Sequence, residues 1–274
     1  MKNWMKCSNS LAMNKVLYCT VSCILLAFML VSCNNEGPGS PVGRVVAEEY
    51  SFSGSLSKIE VNDGIRLVVS PDIPEKTVRV VTNEDVQQYV IVQQRQGALN
   101  LFLDRDALPF SAVEVAIYVS GNNFDTFLAH SGSIISSIGT ISSLNIDATV
   151  EENSQIDADF DCKSMIVNVS GGSVFNGVVV AEDLYAEISG MSKAEMSGSA
   201  GYFELECSGA SRLSGFGLSC ETLDISASGS SIVEITVTGL MQGEISGGSE
   251  LYYKGNPPRI ILDKTGASRV ENAD

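Results

Sequence analysis

The chain repeats the tetrapeptide Ser170-Gly171-Gly172-Ser173 at nearly constant spacing through its C-terminal half. Later copies begin at Ser189, Ser208, Ser228, Ser246 and, with threonine in the first place, Thr265. Subtracting successive starting positions gives intervals of 19, 19, 20, 18 and 19. A short fixed period is typical of a stack of similar units, each packed against its neighbours. The repeat is therefore the feature that decides the fold.

Apolar residues alternate on both sides of each copy. In the copy at Ser189, Leu184 and Ala186 stand five and three residues before the serine, and Ala194 stands five residues after it. Alternation with a period of two predicts half-buried strands, and the glycine between them permits a bend. We therefore predict an all-β fold, a right-handed parallel β-helix (solenoid) with rungs of about 19 residues and an N-terminal β cap. A β-sandwich is the main alternative, but the Asn-Gly and Asp-Gly turns it favours are nearly absent.

The repeat extends upstream in a less regular form. Leu144, Ile146 and Ala148 match the inward strand, residues 149–156 match the motif with two inserted residues, and Ser131-Gly132 begins an earlier copy. The predicted organisation is a lipoprotein signal peptide (1–32), a flexible tether (33–43), an N-terminal β cap with the first irregular rungs (44–120) and the repeat β-helix (121–274). The last two are continuous, because no linker separates them.

The N-terminal segment Leu30-Val31-Ser32-Cys33 resembles a lipobox, which predicts lipidation of Cys33. A conventional signal peptide or a transmembrane anchor is the alternative, although the apolar run is short for the about 20 residues that a span requires. Asn34 favours the outer membrane of a Gram-negative bacterium and leaves the periplasmic or surface-facing leaflet open. Translation can start at Met1 or at Met13.

The formal net charge is −16, from 17 basic and 33 acidic residues. Residues 1–32 contain three lysines and no acidic residue, so the mature chain carries 14 − 33 = −19. Nucleic acid is therefore excluded as a partner, because phosphate binding requires clustered basic residues. Neutral glycans, metal ions and cationic host or envelope proteins remain possible partners, alongside the membrane reached through the lipid.

Three cysteines remain in the mature chain after Cys33, namely Cys162, Cys207 and Cys220. An odd number without a Cys-x-x-Cys spacing argues against a disulfide framework or a zinc site. Cys207 takes an inward repeat position, and Cys162 and Cys220 share one column three rungs apart. We predict buried thiols and no cofactor.

An acidic ladder is the first candidate binding surface. The outward position two residues before the motif serine holds Asp147, Glu187, Glu206, Glu244 and Asp263. Such a column could bind a divalent cation or a basic partner, or it could be a solvated face that discourages aggregation. Tyr252 and Tyr253 form a candidate for stacking against a glycan.

Asp157, Asp159 and Asp161 are a weak candidate metal site. They alternate with apolar residues and point outward along one strand. Calcium prefers oxygens that converge from a curved loop, whereas an extended strand separates them. We therefore predict no metal there.

No catalytic residue is predicted. The single histidine, His130, precedes Ser131, and the interpretation as a partly buried ring is favoured over a catalytic pair. Polysaccharide lyases and hydrolases use this fold class, but the repeats hold few basic residues and lack the long loops that would build a cleft.

Three segments of the N-terminal part carry a family resemblance: Lys58-Ile59-Glu60-Val61, Gly64-Ile65-Arg66-Leu67 and Gly97-Ala98-Leu99-Asn100-Leu101. Followed by serial Ser-Gly-x-Ser strands, they resemble the "putative auto-transporter adhesin, head GIN domain" family across residues 48–270. The resemblance implies a β-helical lipoprotein or secreted protein and offers no catalytic residues to carry over.

The function expected from these observations is non-catalytic. We predict an outer-membrane, lipid-anchored β-helical protein with an adhesin-like cell-surface binding or envelope scaffolding role. A polysaccharide-active β-helix enzyme and a scaffold that self-associates through the C-terminal rung near Arg269 and Val270 are the alternatives.

Overall fold

The computed structural model describes residues 39–121 and 124–274. The predicted signal peptide, the predicted lipidation residue Cys33 and the first part of the predicted tether lie outside these ranges. Pro41–Asp274 forms one compact unit, and the described strands and hydrophobic core lie within it. No helix in the described residues has the length and apolar character of a membrane-crossing segment.

Seventeen strands form one sheet, and the described residues contain no α-helix. The strands are β1 (Val45–Ser51), β2 (Lys58–Val61), β3 (Arg66–Val69), β4 (Thr77–Asn83), β5 (Val90–Arg95), β6 (Ala98–Leu103), β7 (Ala116–Val119), β8 (Thr126–Ala129), β9 (Ile134–Val150), β10 (Gln155–Val169), β11 (Val174–Ile188), β12 (Lys193–Cys207), β13 (Arg212–Ala227), β14 (Ile232–Ile245), β15 (Glu250–Lys254), β16 (Arg259–Lys264) and β17 (Arg269–Asn272). A 3-10 helix, Gln87–Tyr89, precedes β5.

The repeat strands stack in parallel. Gln155 of β10 pairs with Val174 of β11, which pairs with Lys193 of β12, so that equivalent residues are 19 apart. Inward residues such as Phe175 and Ala194 are buried in a continuous core, and the polar residues between them face outward. The prediction of a parallel β-helix whose rungs repeat at this interval is confirmed, and the β-sandwich alternative is wrong.

The N-terminal strands build their end of the stack out of chain order. Strand β2 lies between β6 and β8, and β3 lies between β7 and β9, all in parallel. Strands β5 and β4 then pair antiparallel with β6 and β7, and β1 pairs antiparallel with β4. These antiparallel strands form the predicted cap, which covers backbone groups that would otherwise be exposed at the first parallel rung.

The corner before β10 differs from the prediction. The corner consists of Glu151–Ser154 and has the same length as the corner Ser170–Ser173. The first residues of the two corners make equivalent hydrogen bonds: Glu151 N–H donates to Ala129 O, and Ser170 N–H donates to Val150 O. Glu152 and Asn153, with φ of 57° and 61°, take the left-handed conformation that glycine usually supplies. There is therefore no insertion within residues 149–156.

The two additional residues lie in β9 instead. Ser136 pairs with Asp157, and Thr140 pairs with Asp159. Between these two pairs β9 advances by four residues, whereas β10 advances by two. As a result, Leu144 is not an inward residue: it is 74% exposed, whereas Ile146 and Ala148 are buried as predicted.

Aromatic rings join successive rungs in the core. The centroids of Phe127 and Phe160 lie 6.0 Å apart and those of Phe160 and Phe175 lie 6.1 Å apart. All three side chains are fully buried. They fill the narrow interior at the transition from β8 and β9 to the regular repeat strands.

The three described cysteines are free and buried, as predicted. Cys162 and Cys220 occupy one column with Ala181 and Ala200 between them, which confirms their separation by three rungs. Burial raises the pKa of Cys162 and Cys207 to about 11 and that of Cys220 to about 12. These thiols therefore stay protonated at neutral pH.

Candidate functional site

Four residues of the predicted acidic ladder form one exposed column. Glu187 pairs with Glu206 and Glu244 with Asp263, and Ser226 connects the two pairs. Adjacent strands lie about 4.8 Å apart, so neighbouring carboxylates repel by about 1 kcal/mol or less in water. The column is an exposed anionic stripe, and ligand binding by it stays a prediction.

Asp147 does not belong to this column. It pairs with Ile166 of β10 and Thr126 of β8, while Thr149 occupies the column position beside Asn168. The two-residue shift follows from the corner at 151–154. Burial raises the pKa of the Asp147 carboxyl, and a hydrogen bond from Thr149 partly opposes this effect.

The three aspartates of β10 alternate with buried residues as predicted. Both carboxylate oxygens of Asp157 accept hydrogen bonds, from Gln155 Nε2 at 2.6 Å and from Asn176 Nδ2 at 2.7 Å. Asp159 Oδ1 accepts one from Val178 N–H at 2.9 Å. Within residues 39–121 and 124–274, no group of three or more His, Cys, Asp or Glu side chains is arranged to hold a metal ion.

Tyr252 and Tyr253 do not form a joint stacking surface, because successive residues of a strand point to opposite faces. Tyr252 faces outward, where its hydroxyl donates to Glu250 Oε2 at 2.5 Å and the Arg269 guanidinium lies 5.6 Å from its ring centroid. Tyr253 packs against the core. Of these two tyrosines, only Tyr252 is available to a ligand on the outer face.

The motif serines have a structural role. The last serine is buried in the corners from Ser133 to Ser249, and the hydroxyl oxygens of Ser154, Ser173 and Ser192 each accept the backbone N–H of the equivalent serine in the preceding rung. Ser173 Oγ accepts from Ser154 N–H and Ser192 Oγ accepts from Ser173 N–H, both at 3.2 Å. These hydroxyls link the corner of one rung to the corner of the next inside the fold.

His130 and Ser131 contact different carboxylates. His130 Nδ1 lies 3.4 Å from Glu151 Oε2, and Ser131 Oγ donates to Glu152 Oε2 at 2.9 Å. The serine hydroxyl is thus bonded to an acid in the adjacent corner. This arrangement supports the interpretation of His130 as a partly buried structural residue.

A β-bulge in β13 creates a site that the sequence analysis did not identify. Glu195 of β12 pairs with Ser214, and Ser197 pairs with Gly217, so β13 contains one extra residue between these pairs. Bulges redirect side chains from the regular alternation and often occur beside functional sites. Phe216, half-buried, lies within this bulge.

The bulge also disturbs the pairing on the other side of β13. Gly215 pairs with Ile235 of β14, but the next pair is Ser219 with Thr236, which leaves three residues of β13 without partners in β14. The sheet surface is locally uneven as a result. A groove follows this irregularity across neighbouring rungs.

The groove has a volume of 390 Å³ and an apolar floor that includes Phe216 and the buried Met196. Polar side chains surround the floor: the carboxylates of Asp159, Glu195 and Glu234, the amide of Asn176, and the hydroxyls of Ser197 and Ser214. The groove therefore combines one aromatic ring with many hydrogen-bond acceptors and a negative charge.

Contacts around the groove hold part of this lining in place. Glu234 Oε1 lies 3.6 Å from Arg212 Nη1, and the Lys254 ammonium lies 4.7 Å from the Phe216 ring centroid. Glu195 is exposed at the rim. Gly177 is required in the lining, because a Cβ there would come within 2.0 Å of Ala158 O.

Of the predicted site residues, Asp159 lies in the groove, whereas the acidic stripe and Tyr252 lie elsewhere. The spacing of the repeats contains a signal for the bulge at Phe216. The interval from Ser208 to Ser228 is one residue longer than the usual 19, and the next interval is one residue shorter. An aromatic pair was also missed: the exposed Tyr185 and the half-buried Tyr202, with ring centroids 6.1 Å apart.

These features define a class of protein, a parallel β-helix whose outer surface carries a shallow acidic groove with an aromatic floor. The chain belongs to the family described as "putative auto-transporter adhesin, head GIN domain", whose model matches residues 55–257. The resemblance seen in the sequence is thereby confirmed.

Solved structures share the fold. A crystal structure described as a putative adhesin from Parabacteroides merdae matches with a TM-score of 0.74 at 14% identity, covering 85% of this chain and 98% of that chain. A putative adhesin from Parabacteroides distasonis matches at 0.72 with 17% identity, covering 84% and 98%. A protein from the same organism described as a putative lipid binding protein matches at 0.72 with 12% identity and the same coverage. No curated protein is significantly similar in sequence.

Proposed function

We propose that this protein is a non-catalytic, adhesin-like protein that binds neutral glycans at the outer membrane of a Gram-negative bacterium. The observation that carries the proposal is the groove at Phe216. Membership of an adhesin family supports a binding role. The short corners between the described repeat strands favour recognition over catalysis, because catalytic clefts are usually built from long loops.

The groove suits a sugar chemically. An aromatic ring packs against the apolar C–H face of a pyranose, while carboxylate and hydroxyl oxygens bond the sugar hydroxyls. The carboxylates of Asp159, Glu195 and Glu234 would repel sialylated or uronic-acid glycans. Neutral or amino-bearing oligosaccharides are therefore the favoured ligands.

A glycan array tests this proposal. Residues 34–274 should bind neutral oligosaccharides, and Phe216→Ala and Glu195→Gln should both weaken that binding. Tyr185→Ala, which removes an exposed aromatic ring outside the groove, is the matched control and should bind as the wild type does. An array without any signal, or one in which only sialylated glycans bind, would contradict the proposal.

The same samples distinguish the enzyme alternative. The chain is incubated with soluble polysaccharides, and new reducing ends or unsaturated products are measured. We expect none. Turnover that is lost in Glu195→Gln would show a polysaccharide-active enzyme instead.

Anchoring through Cys33 would place the β-helix at the membrane on a short polar tether. Replacing Cys33 with Ala removes the predicted lipid attachment site, so we expect the protein to move from the membrane to the soluble fraction on cell fractionation. If the variant remained in the membrane pellet, the lipoprotein assignment would be wrong. Protease treatment of intact cells then reports the leaflet.

A further inference from the structure

The two ends of the β-helix are built differently. At the N-terminal end, β6 and β7 are covered by the antiparallel strands β5 and β4. At the other end, β16 pairs only with β14 and β17 only with β15 among the described residues. The outer edge of β16 therefore presents its backbone N–H and C=O groups to whatever lies beyond it.

Apolar residues at this edge are exposed at positions where other rungs bury them. Ile260 is 46% exposed, whereas Met241 and Leu223, which precede it in the same column, are 0% exposed. Leu262 is half-buried, while Ile225 in its column is 1% exposed. Another layer of strand would remove both side chains from water.

We propose that β16 pairs antiparallel with β16 of a second copy of this chain, about a twofold axis at Ile261. In this register Arg259 lies opposite Asp263 of the other copy, and Ile260 lies opposite Leu262. Directly opposed residues of an antiparallel pair point to the same face. Opposite charges therefore meet on the outer face and apolar residues meet on the core face.

The charges select this register. Shifting the axis by half a residue, to between Ile261 and Leu262, places Arg259 opposite Lys264 and Ile260 opposite Asp263. That arrangement opposes like charges and leaves an apolar residue against a carboxylate. With the axis at Ile261, Lys264 falls opposite Pro258, at the end of the paired stretch.

The assembly is a closed dimer and not a filament. A twofold contact uses the same β16 edge on both copies, so this edge is left free on neither copy. The opposite ends are covered by antiparallel strands, which blunt further strand addition. This contact is independent of the glycan groove, which lies on the side of the β-helix.

Sedimentation equilibrium of residues 34–274 tests the proposal. The wild type should reach a dimer as its concentration rises. Arg259→Asp and Asp263→Arg should each weaken the dimer at least tenfold, because each opposes like charges. The double variant Arg259→Asp/Asp263→Arg should recover the affinity, since it restores opposite charges in the reversed order.

Glu187→Arg is the matched control, because it makes a similar charge change in the same outward column four rungs away and should leave the dimer unchanged. Circular dichroism of each variant verifies folding. A wild type that stays monomeric at millimolar concentration would overturn the proposal. Growth beyond a dimer, or a double variant as weak as the single ones, would also overturn it.

Discussion

Glycine occupies the second position of the six Ser/Thr-Gly-x-Ser corners, and backbone geometry requires it at Gly247. Gly247 has φ of 70°, and a Cβ added to it would lie 2.6 Å from Gly229 O in the rung before. Gly248, the next residue, has its nearest neighbour at 3.6 Å and no positive φ. Adjacent glycines in one corner thus differ completely in what they tolerate.

We therefore expect Gly247→Ala to lower the free energy of unfolding by about 1–3 kcal/mol, through backbone strain and the close carbonyl oxygen. Gly248→Ala is the control and should change it little, because alanine already occupies this corner position in Ala210 and Ala267. Thermal denaturation of both variants measures the difference. Equal effects would show that the corner conformation is not the constraint.

The cysteines provide a pH-dependent test at the same scale. A thiol whose pKa is raised from 9.0 to about 11 is about 100-fold less ionised at pH 8. We expect iodoacetamide to leave Cys162, Cys207 and Cys220 unmodified in the native protein and to label all three after denaturation. Since the unfolded chain releases the thiol protons first, stability should fall as the pH rises above 9. Rapid labelling of the native protein at pH 8 would contradict the buried positions.

At the scale of the strand, the phenylalanine contacts connect the irregular first rungs to the regular repeats. Phe160 lies between Phe127 and Phe175 and is 1% exposed. Removal of the Phe160 ring would leave a cavity that the neighbouring rungs can fill only partly. The core is therefore sensitive to substitution at this junction.

Phe160→Ala should destabilise the fold by about 3–5 kcal/mol. Phe216→Ala, the same change at the half-buried groove, should cost less than about 1 kcal/mol. Denaturant unfolding of the two variants makes the comparison. A similar loss in both would place Phe216 in the core and remove the basis for the groove as a ligand site.

The strand scale also shows what the sequence can predict. The nearly constant repeat interval and the alternation around Leu184 and Ala186 are sufficient to predict the length of the rung, the register between rungs and the buried columns. The corner at Glu151–Ser154 was misplaced, because Glu152 and Asn153 adopt positive φ without the glycine that usually signals it. That error moved Leu144 and Asp147 by two positions.

The groove could not be predicted because one extra residue in a strand does not reveal where the bulge forms. The excess in the rung that starts at Ser208 was visible in the spacing. Only the pairing of β13 with both of its neighbours shows that the excess lies at Phe216. The order of the cap strands was hidden for a similar reason, since β2 pairs with β6 and β8, which are distant in sequence.

At the scale of the whole molecule, charge and shape act together. Residues 33–274 carry a net charge of 14 − 33 = −19, and their acidic groups include both the exposed stripe and the groove rim. Such a surface disfavours anionic ligands and keeps neighbouring molecules apart. The proposed glycan ligands of the groove are therefore neutral or amino-bearing, and the proposed dimer forms at the edge of β16, where opposite charges can meet.

Calorimetric titration of the strongest neutral glycan from the array tests the central claim most directly. The wild type, Phe216→Ala and Tyr185→Ala are titrated with that glycan under the same conditions. We predict that Phe216→Ala weakens binding by at least about tenfold, or ~1.4 kcal/mol, and that Tyr185→Ala binds as the wild type does. Unchanged binding by Phe216→Ala, together with a loss in Tyr185→Ala, would contradict the groove as the binding site.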